Sequence, residues 1–399
     1  MPSPPTAPML DRVTRWCSAG GGTDDQAAVD ALLTRIAEEA LAPLADTVER
    51  EPLPPIEDFD GRGRVVRSPL APAVVARLRP DAAIRVLLNI HADTVHGPEA
   101  SARPVAVEGD RLVGPGVADA RGGLAVMLAG LEAYEAEREG DGLGWTVVLN
   151  PDEEVGSPGS AGLLRREAEA HDAALLFEPS LPDGSLVSAR GGSSRWSVAF
   201  RGRAAHVGRD FDAGRSAIHA ACAAVTEMQE LNGHAGCTFN CGAVEGGGPA
   251  NAVADAAVLR LNTRAADGDA EARCDAVVRG AAAAAAERFG VEAEVRLVAH
   301  APPRPCAGGT ARLVAAAQDA VEGATGTRPG LRSTGGVCDG NRIAAAGCPV
   351  VDTLGVRGDL IHTGDEYLVI ASLAERAAAT ALLLHDLAAQ PRTAARRAG

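Results

Sequence analysis

Four runs of predominantly apolar residues constrain the fold of this chain most, because apolar and polar positions do not alternate within them. The runs cover residues 84–90, 145–149, 173–177 and 349–354, and the first has the sequence IRVLLNI. A strand with this pattern is buried on both faces, which is typical of a parallel sheet covered by helices. Helix-forming segments at 123–138 and 160–170 separate the first three runs. The pattern therefore predicts an α/β fold with a parallel or mixed sheet.

The segment from 188 to 302 has a different texture, with alternating or β-rich stretches separated by two long helical segments. The stretches are RWSVAFRG, CTFNCGAV, DAAVLRLNTR and EAEVRLVA, and the helical segments cover 214–231 and 269–289. The order β-α-β-β-α-β is that of a ferredoxin-like α+β unit. The sequence thus predicts an inserted domain at 188–302 and a larger domain formed by 1–187 and 303–399. Gly191–Gly192 and Pro302–Pro303 are the expected hinges.

Composition and charge exclude several classes of function. The chain has 38 basic against 53 acidic residues, a net charge of −15 and 3% aromatic residues, so nucleic acid is not an expected partner. All 38 basic residues are arginine, which excludes Schiff-base chemistry on lysine and a Walker A loop. No apolar run approaches the ~20 residues of a membrane span, and the eight cysteines form no C-x-x-C pair. We therefore expect a cytoplasmic protein with reduced thiols and no membrane partner.

Histidine and carboxylate residues follow three of the apolar runs, at the point where each predicted strand ends. His91 and Asp93 follow the first run, Glu153 and Glu154 the second, and Glu178 the third. The carboxyl ends of parallel strands form the ligand crevice of an open α/β sheet, so these side chains are expected to meet. A metal ion explains such a cluster, with His91 as a ligand and Asp93 accepting its second ring N–H. An isolated H-x-D sequence also occurs in surface loops, so this pair carries weight only together with the others.

Glu153 and Glu154 are adjacent carboxylates, which repel each other unless a cation neutralises one of them. The other can then act as a base with a shifted pKa. Asp119 lies in the glycine-rich sequence GPGVADARGG before a helix, where it is either a metal ligand or an N-cap. His362 in GVRGDLIHTGDEYL adds a second histidine. Two histidines and three carboxylates form the ligand composition of a hydrolytic two-zinc site.

Five motifs occur in a characteristic order, namely HADTV, GPGVADARGG, PDEEVGSPGS, LFEPS and, after the inserted segment, GVRGDLIHTGDEYL. In this respect residues 84–370 closely resemble the family of co-catalytic zinc hydrolases that includes glutamate carboxypeptidase, acetylornithine deacetylase and succinyl-diaminopimelate desuccinylase. The resemblance implies a zinc-exopeptidase-like fold, with a mixed, mostly parallel sheet flanked by helices and an inserted ferredoxin-like lid and dimerisation domain. It also implies two zinc ions per chain, which cobalt or manganese can replace in vitro, and a cis peptide bond between Asp119 and Ala120.

The resemblance further implies which residues bind the metal ions. His91 and Glu178 would hold one ion, and Glu154 and His362 the other. Asp119 would bridge the two ions.

The resemblance also implies roles in catalysis and substrate binding. Glu153 would be the general base, Asp93 the orienting partner of His91, and His206 in the lid motif FRGRAAHVG a catalytic residue that reaches the partner subunit's site in a homodimer. Looser matches imply contacts with a substrate carboxylate by Asn251, Arg264 and Arg304. The chain departs from the family's pattern at Ala120–Arg121 and in VCDGN around Asp339, where substrate selectivity is commonly set.

The implied function is hydrolysis of an amide bond in an N-acyl amino acid or a small dipeptide-like substrate with a free carboxylate, by a deacylase or a carboxypeptidase. One alternative is a non-hydrolytic relative that binds an amino-acid or peptide-like ligand and keeps zinc for structure. It is disfavoured because a binding protein has no need of Glu153. Another is an N-carbamoyl amino acid amidohydrolase, disfavoured because such relatives tend to carry histidine where Glu178 stands.

Overall fold

The computed structural model describes residues 4–98, 103–138, 140 and 142–389. In these residues the main helices are α1 (Thr6–Cys17), α2 (Gln26–Ile36), α3 (Gly123–Glu137), α4 (Ala161–Ala170), α5 (Ala217–Glu230), α6 (Gly268–Phe289), α7 (Gly308–Thr325), α8 (Asp339–Ala345) and α9 (Ala371–Ala389). The strands of the first half are β1 (Thr47–Glu51), β2 (Ile56–Phe59), β3 (Val65–Ser68), β4 (Ala73–Leu78), β5 (Arg85–His91), β6 (Ala106–Glu108), β7 (Arg111–Val113), β8 (Gly144–Asn150) and β9 (Ala173–Leu176). Those of the second half are β10 (Leu186–Arg190), β11 (Gly192–Arg201), β12 (Cys237–Gly246), β13 (Ala256–Ala265), β14 (Glu292–Ala301), β15 (Leu331–Thr334), β16 (Val350–Val351), β17 (Gly358–Asp359) and β18 (Tyr367–Val369).

The four apolar runs form four adjacent strands of a six-stranded sheet with the order β1-β4-β8-β5-β9-β16, in which β16 lies at one edge. Strands β8, β5, β9 and β16 are parallel, whereas β4 is antiparallel to β8 and β1 is antiparallel to β4. Every residue of β8 is buried, as the absence of alternation predicts. The mixed, mostly parallel sheet is therefore confirmed.

The fourth run forms a shorter strand than the sequence predicts. Only Val350 and Val351 pair with β9, although the apolar run extends to Leu354. The chain leaves the sheet at Thr353, which adopts a positive φ of 60°. This conformation is incompatible with a continuing strand. The carboxylate of Asp352, just before it, forms a buried ion pair with Arg304.

Helices cover both faces of the central sheet. On one face, α1, α2, α3, α7 and α9 share a core with Val86, Leu88 and Ile90 of β5. On the other face, α4 and α8 pack on Leu87. Helix α3 approaches the sheet so closely that a Cβ at Gly123 would lie 1.9 Å from the carbonyl oxygen of Phe177, so this position requires glycine. Within the ranges described here, no helix is both long and apolar enough to cross a membrane.

The segment from β11 to β14 forms a separate layer, which we call the inserted domain; the rest of the structure is the body. Its sheet has the order β12-β13-β11-β14 with antiparallel neighbours, and α5 and α6 pack on one face. This is the predicted β-α-β-β-α-β order. Helix α5 begins at Ala217 rather than at 214, because the Ser216 side chain caps it by accepting from the N–H of His219.

Two chain crossings and a hairpin join the inserted domain to the body. The Asn341 side chain donates from Nδ2 to the carbonyl oxygens of Gly191 (2.9 Å) and Pro302 (2.7 Å), one at each crossing. The hairpin formed by β2 and β3 belongs to the body but lies on the helix-free face of the inserted sheet. Its Phe59 is buried against Ala199 and Val258. Because no apolar periodicity marks residues 56–68, the sequence did not predict this contact.

Candidate metal centre and cleft

The polar residues that follow the central strands lie together at the carboxyl edge of the sheet. His91 is the last residue of β5, the turn Glu153–Val155 follows β8, and Glu178 follows β9. A small antiparallel sheet with the order β17-β18-β7-β6 brings two loops to the same edge. One of these loops follows β7 and carries Asp119, and the other connects β17 to β18 and carries His362. The fold therefore gathers residues from five separate segments at one point.

Asp119 lies at the centre of this group. Its Oδ1 is 3.1 Å from Nε2 of His91, and its Oδ2 is 3.3 Å from Nε2 of His362. The same nitrogen of His91 is 3.8 Å from Oε2 of Glu178, and that of His362 is 3.4 Å from Oε2 of Glu154. The two oxygens of one carboxylate thus face two imidazoles, each of which also faces a second carboxylate.

Glu366 fixes the main chain around Asp119. Its buried carboxylate accepts backbone N–H groups from Gly116 (3.0 Å), Ala118 (2.8 Å) and Asp119 (2.8 Å). The peptide bond between Asp119 and Ala120 is cis, as the family resemblance predicts. Glu366 was not predicted from the sequence, where it follows another acid, Asp365, and no local pattern distinguishes the two.

Asp93 connects His91 to the Glu153–Glu154 turn. Its Oδ1 accepts the backbone N–H of Glu153, and its Oδ2 accepts that of Glu154, both at 3.1 Å. The Thr23 hydroxyl donates to Oδ2 at 2.7 Å. On the other side, Nδ1 of His91 lies 3.0 Å from the backbone oxygen of Asp93 and 3.4 Å from its Oδ1. Nothing in the sequence around Thr23 predicts this hydrogen bond, because Thr23 and Asp93 come together only in the folded chain.

The close packing of acidic groups shifts their pKa values. Burial and the neighbouring carboxylate of Glu178 raise the pKa of Glu153 well above its usual range. Burial, with a contribution from Asp119, raises the pKa of Glu178 to about 8. Hydrogen bonds to Asp119 and Glu154 raise the pKa of His362 to about 10. Burial is the main cause at the two glutamates and neighbouring carboxylates add to it, so a bound cation would stabilise the ionised forms of both side chains.

These residues fit a pair of divalent metal ions. His91, Asp119 and Glu154 offer ligand atoms that all lie within 4.8 Å of one another. Oε1 of Glu154 is buried and accepts no hydrogen bond from any described residue, and buried carboxylate oxygens are otherwise paired. Imidazole nitrogens mixed with carboxylate oxygens are ligands that suit zinc. The donor set is therefore appropriate for the two zinc ions that the sequence predicts.

The metal centre opens into a cleft of about 460 Å³ between the body and the inserted domain. The inserted domain contributes one wall, which carries Ser193, Arg195, Asn262, Arg264 and His300. A larger cavity of about 730 Å³ lies behind the hinges, but none of the residues facing Asp119 lines it. We regard the smaller cleft as the functional one, because it is the one that reaches Asp119 and Glu153.

The predicted substrate-binding residues occupy three different environments. Arg264 lines the cleft and donates to the backbone oxygen of Gly335 at 3.2 Å. Arg304 is fully buried outside the cleft lining, and its guanidinium lies 2.6 Å from Asp352. Asn251 is exposed on the inserted domain and is not among the residues that line the cleft.

His206 is likewise absent from the cleft lining. It lies on the loop next to Asn251, whose backbone oxygen accepts the N–H of Val207 at 3.0 Å. The structure thus brings the five predicted metal ligands, Asp93, Glu153 and Arg264 together, and leaves Arg304, Asn251 and His206 elsewhere.

The sequence VCDGN supplies residues that support the cleft. Asp339 is buried and accepts hydrogen bonds from Asn150 Nδ2 at 2.7 Å and from the Ser157 hydroxyl. Its carboxylate contributes to the raised pKa of Glu153. The Cys338 thiol is buried with its Sγ 3.5 Å from Asp352, so packing accounts for it. Asp339 and Asn150 were not assigned roles from the sequence.

Comparison with known proteins identifies the family. The model of peptidase family M20/M25/M40 matches residues 87–386 of this chain. The chain belongs to this family. Membership confirms the resemblance drawn from the five motifs and makes this M20 chain a hydrolase of carbon–nitrogen bonds.

Individual relatives share the same family. Carboxypeptidase G2 of a Pseudomonas species is 32% identical over 322 residues, which cover 79% of this chain and 77% of that protein. N-acetyl-L-citrulline deacetylase of Xanthomonas campestris is 32% identical over 192 residues, 45% of this chain and 50% of the relative. A tripeptidase from Staphylococcus aureus has a similar structure, with a TM-score of 0.73, 23% identity and coverage of 97% of this chain and 100% of that one. At that identity the structural likeness shows the fold alone.

Proposed function

We propose that this M20 chain is a zinc-dependent amidohydrolase that cleaves an amide bond in an N-acyl amino acid or a small peptide-like substrate with a free carboxylate. One observation carries the proposal: Asp119 directs its two oxygens at two histidines while Glu153, in the same cleft, remains outside that set of contacts. A site built only to hold metal has no use for a further buried carboxylate. The names of the relatives, a carboxypeptidase and a deacetylase, support the same class of reaction.

The proposed ligands of one ion are His91 and Glu178, and those of the other are Glu154 and His362, with Asp119 shared. Zinc ions held in this way supply Lewis acidity, which polarises the scissile carbonyl and lowers the pKa of water. Asp93 keeps His91 oriented through the contacts at its Nδ1 and fixes the Glu153–Glu154 turn through two backbone N–H groups. The body therefore prepares the ligands before substrate arrives.

Glu153 is the proposed general base. Its carboxylate takes a proton from the attacking water and then delivers that proton to the amide nitrogen as the carbon–nitrogen bond breaks, so that an amine and a carboxylic acid leave. The pKa of Glu153, raised by burial and by the carboxylate of Glu178, lets the side chain hold the proton between these two transfers. Asp339 helps to set this pKa from behind the cleft.

The substitution Glu153→Gln tests this assignment. We expect the variant to retain two zinc ions per chain, because its ligands are unchanged, and to lose activity by ~10²- to 10⁴-fold, the usual contribution of a general base. Glu108→Gln, at an exposed strand position, is the matched control and should retain full activity. A Glu153→Gln enzyme with wild-type activity and metal content would refute the role of Glu153.

We also propose that His206 and Asn251 serve the cleft of a second copy in a homodimer. Both are exposed outside their own cleft. Strand β12 lies at the edge of the inserted sheet and pairs only with β13 among the described residues, and an open edge favours pairing with another chain. Val207 and Phe211 are 41% and 56% exposed near this loop, as suits a surface that another subunit covers.

Mixing two inactive variants tests the shared site. Glu153→Gln and His206→Ala should each be nearly inactive alone. After subunit exchange, half of the dimers are mixed and each contains one site with both residues, so roughly a quarter of wild-type activity should return. Exchange confirmed by mass without any recovery of activity would contradict the shared site, and so would a fully active monomer.

A further inference from the structure

Arg195 lies in the wall of the cleft and has no ion-pair partner among the described residues. It lies on β11 in register with Asn262 of β13 and Ala299 of β14, and all three residues line the cleft. The side chain is part-buried, and its guanidinium forms no ion pair or side-chain hydrogen bond with any described residue. Desolvated charges in proteins are normally paired, because their transfer from water is otherwise costly. Arg195 therefore has an unmet requirement for an anion.

Arg260 and Arg296, on the same face of the inserted sheet, are paired with carboxylates. Arg260 lies 2.8 Å from Asp58 and 2.8 Å from Glu245, and Arg296 lies 2.9 Å from Glu57. Asp58 and Glu57 belong to the β2–β3 hairpin, which covers this part of the face. Asp58 is also the acid whose charge acts on Arg195, but its carboxylate is taken by Arg260. The pairing thus stops where the hairpin ends and the cleft begins.

Most other cations that line the cleft also have partners. Arg190 lies 2.7 Å from Asp352, and Arg342 donates to the backbone oxygen of Gly156. Arg264 resembles Arg195, since its side chain contacts only a backbone oxygen at 3.2 Å. On the wall that the inserted domain contributes, Arg195 and Arg264 are therefore the two guanidinium groups that form no ion pair with a protein carboxylate in the described structure.

The sheet register sets the spacing of this pair. Arg195 is opposite Asn262, two residues before Arg264 on β13, and Ser193 is opposite Arg264. Arg195 and Arg264 are therefore diagonal neighbours on one face of the sheet, a relationship that places residues roughly 7–8 Å apart. A ligand with two carboxylates separated by a few carbon atoms can contact both side chains. The acidic groups on the opposite wall are the proposed zinc ligands and the proposed base Glu153, and none of them forms an ion pair with either arginine in the described structure.

We propose that Arg195 is a specificity-determining residue that binds a second carboxylate of the substrate, next to the one that Arg264 receives. The preferred substrate is then an amide with two carboxylates, and this inference rests on the proposed function. A guanidinium recognises a carboxylate through two parallel N–H···O bonds, which a neutral amide cannot reproduce. The second carboxylate comes either from the side chain of an acidic amino acid or from a dicarboxylic acyl group.

Two matched substrate pairs test the proposal and separate these sources. The first pair is N-acetyl-L-glutamate and N-acetyl-L-glutamine, and the second is N-succinyl-L-leucine and N-butanoyl-L-leucine. For one of the pairs, we expect the zinc-loaded wild type to prefer the charged member in kcat/KM by about 100-fold, the size of a desolvated charge pair. Arg195→Gln should remove that preference by slowing the charged substrate alone, and Arg195→Lys should restore part of it.

Arg201→Gln is the matched control. Arg201 lies on the same strand and face but is paired with Glu294 at 2.8 Å and is outside the cleft lining, so the preference should stay at the wild-type value. Equal rates for the charged and neutral members of both pairs would overturn the proposal. An equal loss on both members in Arg195→Gln would overturn it as well, because it would indicate a structural role only.

Binding measurements keep this inference separate from the proposed function. If the zinc-loaded wild type cleaves no amide, the proposed function fails, and Arg195 is then tested with glutarate and butyrate by calorimetry. Tighter binding of glutarate to wild type than to Arg195→Gln, by about tenfold or more, with no such difference for butyrate, would support the anion site. Equal affinity of both proteins for glutarate would overturn it.

Discussion

Glu366 accepts the backbone N–H of Asp119 at 2.8 Å. A buried acid that contacts neither His91 nor His362 thus fixes the backbone from which the shared carboxylate of Asp119 extends. The same side chain also accepts the N–H groups of Gly116 and Ala118. Three backbone donors around one carboxylate form a cradle that a smaller side chain cannot replace. The position of Asp119 thus depends on a residue from the far end of the chain.

We predict that Glu366→Ala destabilises the protein by about 3 kcal/mol, because three buried N–H groups lose their acceptor. Zinc retention should fall at the same time, since the Asp119 loop is no longer held. Glu366→Gln keeps one acceptor oxygen in place and should therefore lose less stability and less zinc than Glu366→Ala. Urea unfolding and metal content per chain measure the two effects, and Glu366→Ala with wild-type metal content would show that the loop holds its shape unaided.

Arg304 is expected to act in stability rather than in substrate binding. Arg304→Met leaves Asp352 with only Arg190, and the loss of one partner from a buried ion pair costs roughly 3 kcal/mol or more. The KM of the fraction that remains folded should be unchanged. Arg264→Met, in contrast, should raise KM and leave the unfolding midpoint nearly unchanged, because Arg264 lines the cleft and forms no buried ion pair in the described structure. A raised KM for Arg304→Met without loss of stability would return Arg304 to the substrate site.

Metal removal should reveal the repulsion among the buried carboxylates. Burial raises the pKa of Glu178 to about 8, so its ionised form is unfavourable without a cation. We expect a chelator to lower the Tm of the wild type. Metal-free Glu178→Gln should then unfold at a higher temperature than metal-free wild type, and the order should reverse with zinc present. A wild-type Tm that the chelator does not change would argue against a resident metal.

Asp152 should contribute a measurable pH dependence of stability. Burial, with the charges of Asp93 and Asp339, raises its pKa from 3.8 to about 6. A raised pKa means that the protonated form stabilises the folded state fully below about pH 4 and that this stabilisation is lost as the pH rises through 6.

Asp152→Asn removes this titration. The unfolding free energy of the wild type relative to Asp152→Asn should therefore fall by about 3 kcal/mol between pH 4 and pH 7. Urea titrations of both proteins in the same metal state measure the difference, and Asp81→Asn at an exposed position is the control. A difference that is constant with pH would contradict the raised pKa.

Phe59→Ala should loosen the contact between the hairpin and the inserted sheet. The substitution removes a ring buried against Ala199 and Val258 and should cost about 3 kcal/mol. Amides of β11 and β13 should exchange faster with solvent. Val66→Ala, on the same hairpin but 41% exposed, should leave exchange unchanged. Equal exchange rates of these amides in Phe59→Ala and Val66→Ala would show that the hairpin contributes little to the stability of the inserted sheet.

The sequence predicted those parts of the fold and site that depend on local pattern. Unbroken apolar runs identified the buried strands, and the residues that end them, such as His91 and Glu178, lie at the common edge that a parallel sheet imposes. Asp119 and His362 were assigned through motif order. For His91 and Glu178, the strand that carries each residue also positions it, whereas the position of Asp119 depends on Glu366 as well.

The remaining features depend on contacts between distant segments. Arg304 reaches Asp352 and Thr23 reaches Asp93 only after the body has folded, and neither pair has a periodic signature. The end of the last predicted strand at Val351 follows from the positive φ of Thr353, which the apolar run does not reveal. Arg195 could not be predicted from the sequence, because what distinguishes it is the lack of an ion-pair partner among the residues that surround it in the described part of the structure.

The hairpin that carries Phe59 changes how the cleft can admit a substrate. A domain connected to the body at two chain crossings alone could rotate about the axis through them. The hairpin adds a third contact away from that axis, so the inserted domain can rotate only if the hairpin moves with it or detaches. We therefore expect the cleft entrance to keep a nearly constant width, which would favour short, slender substrates over folded polypeptides.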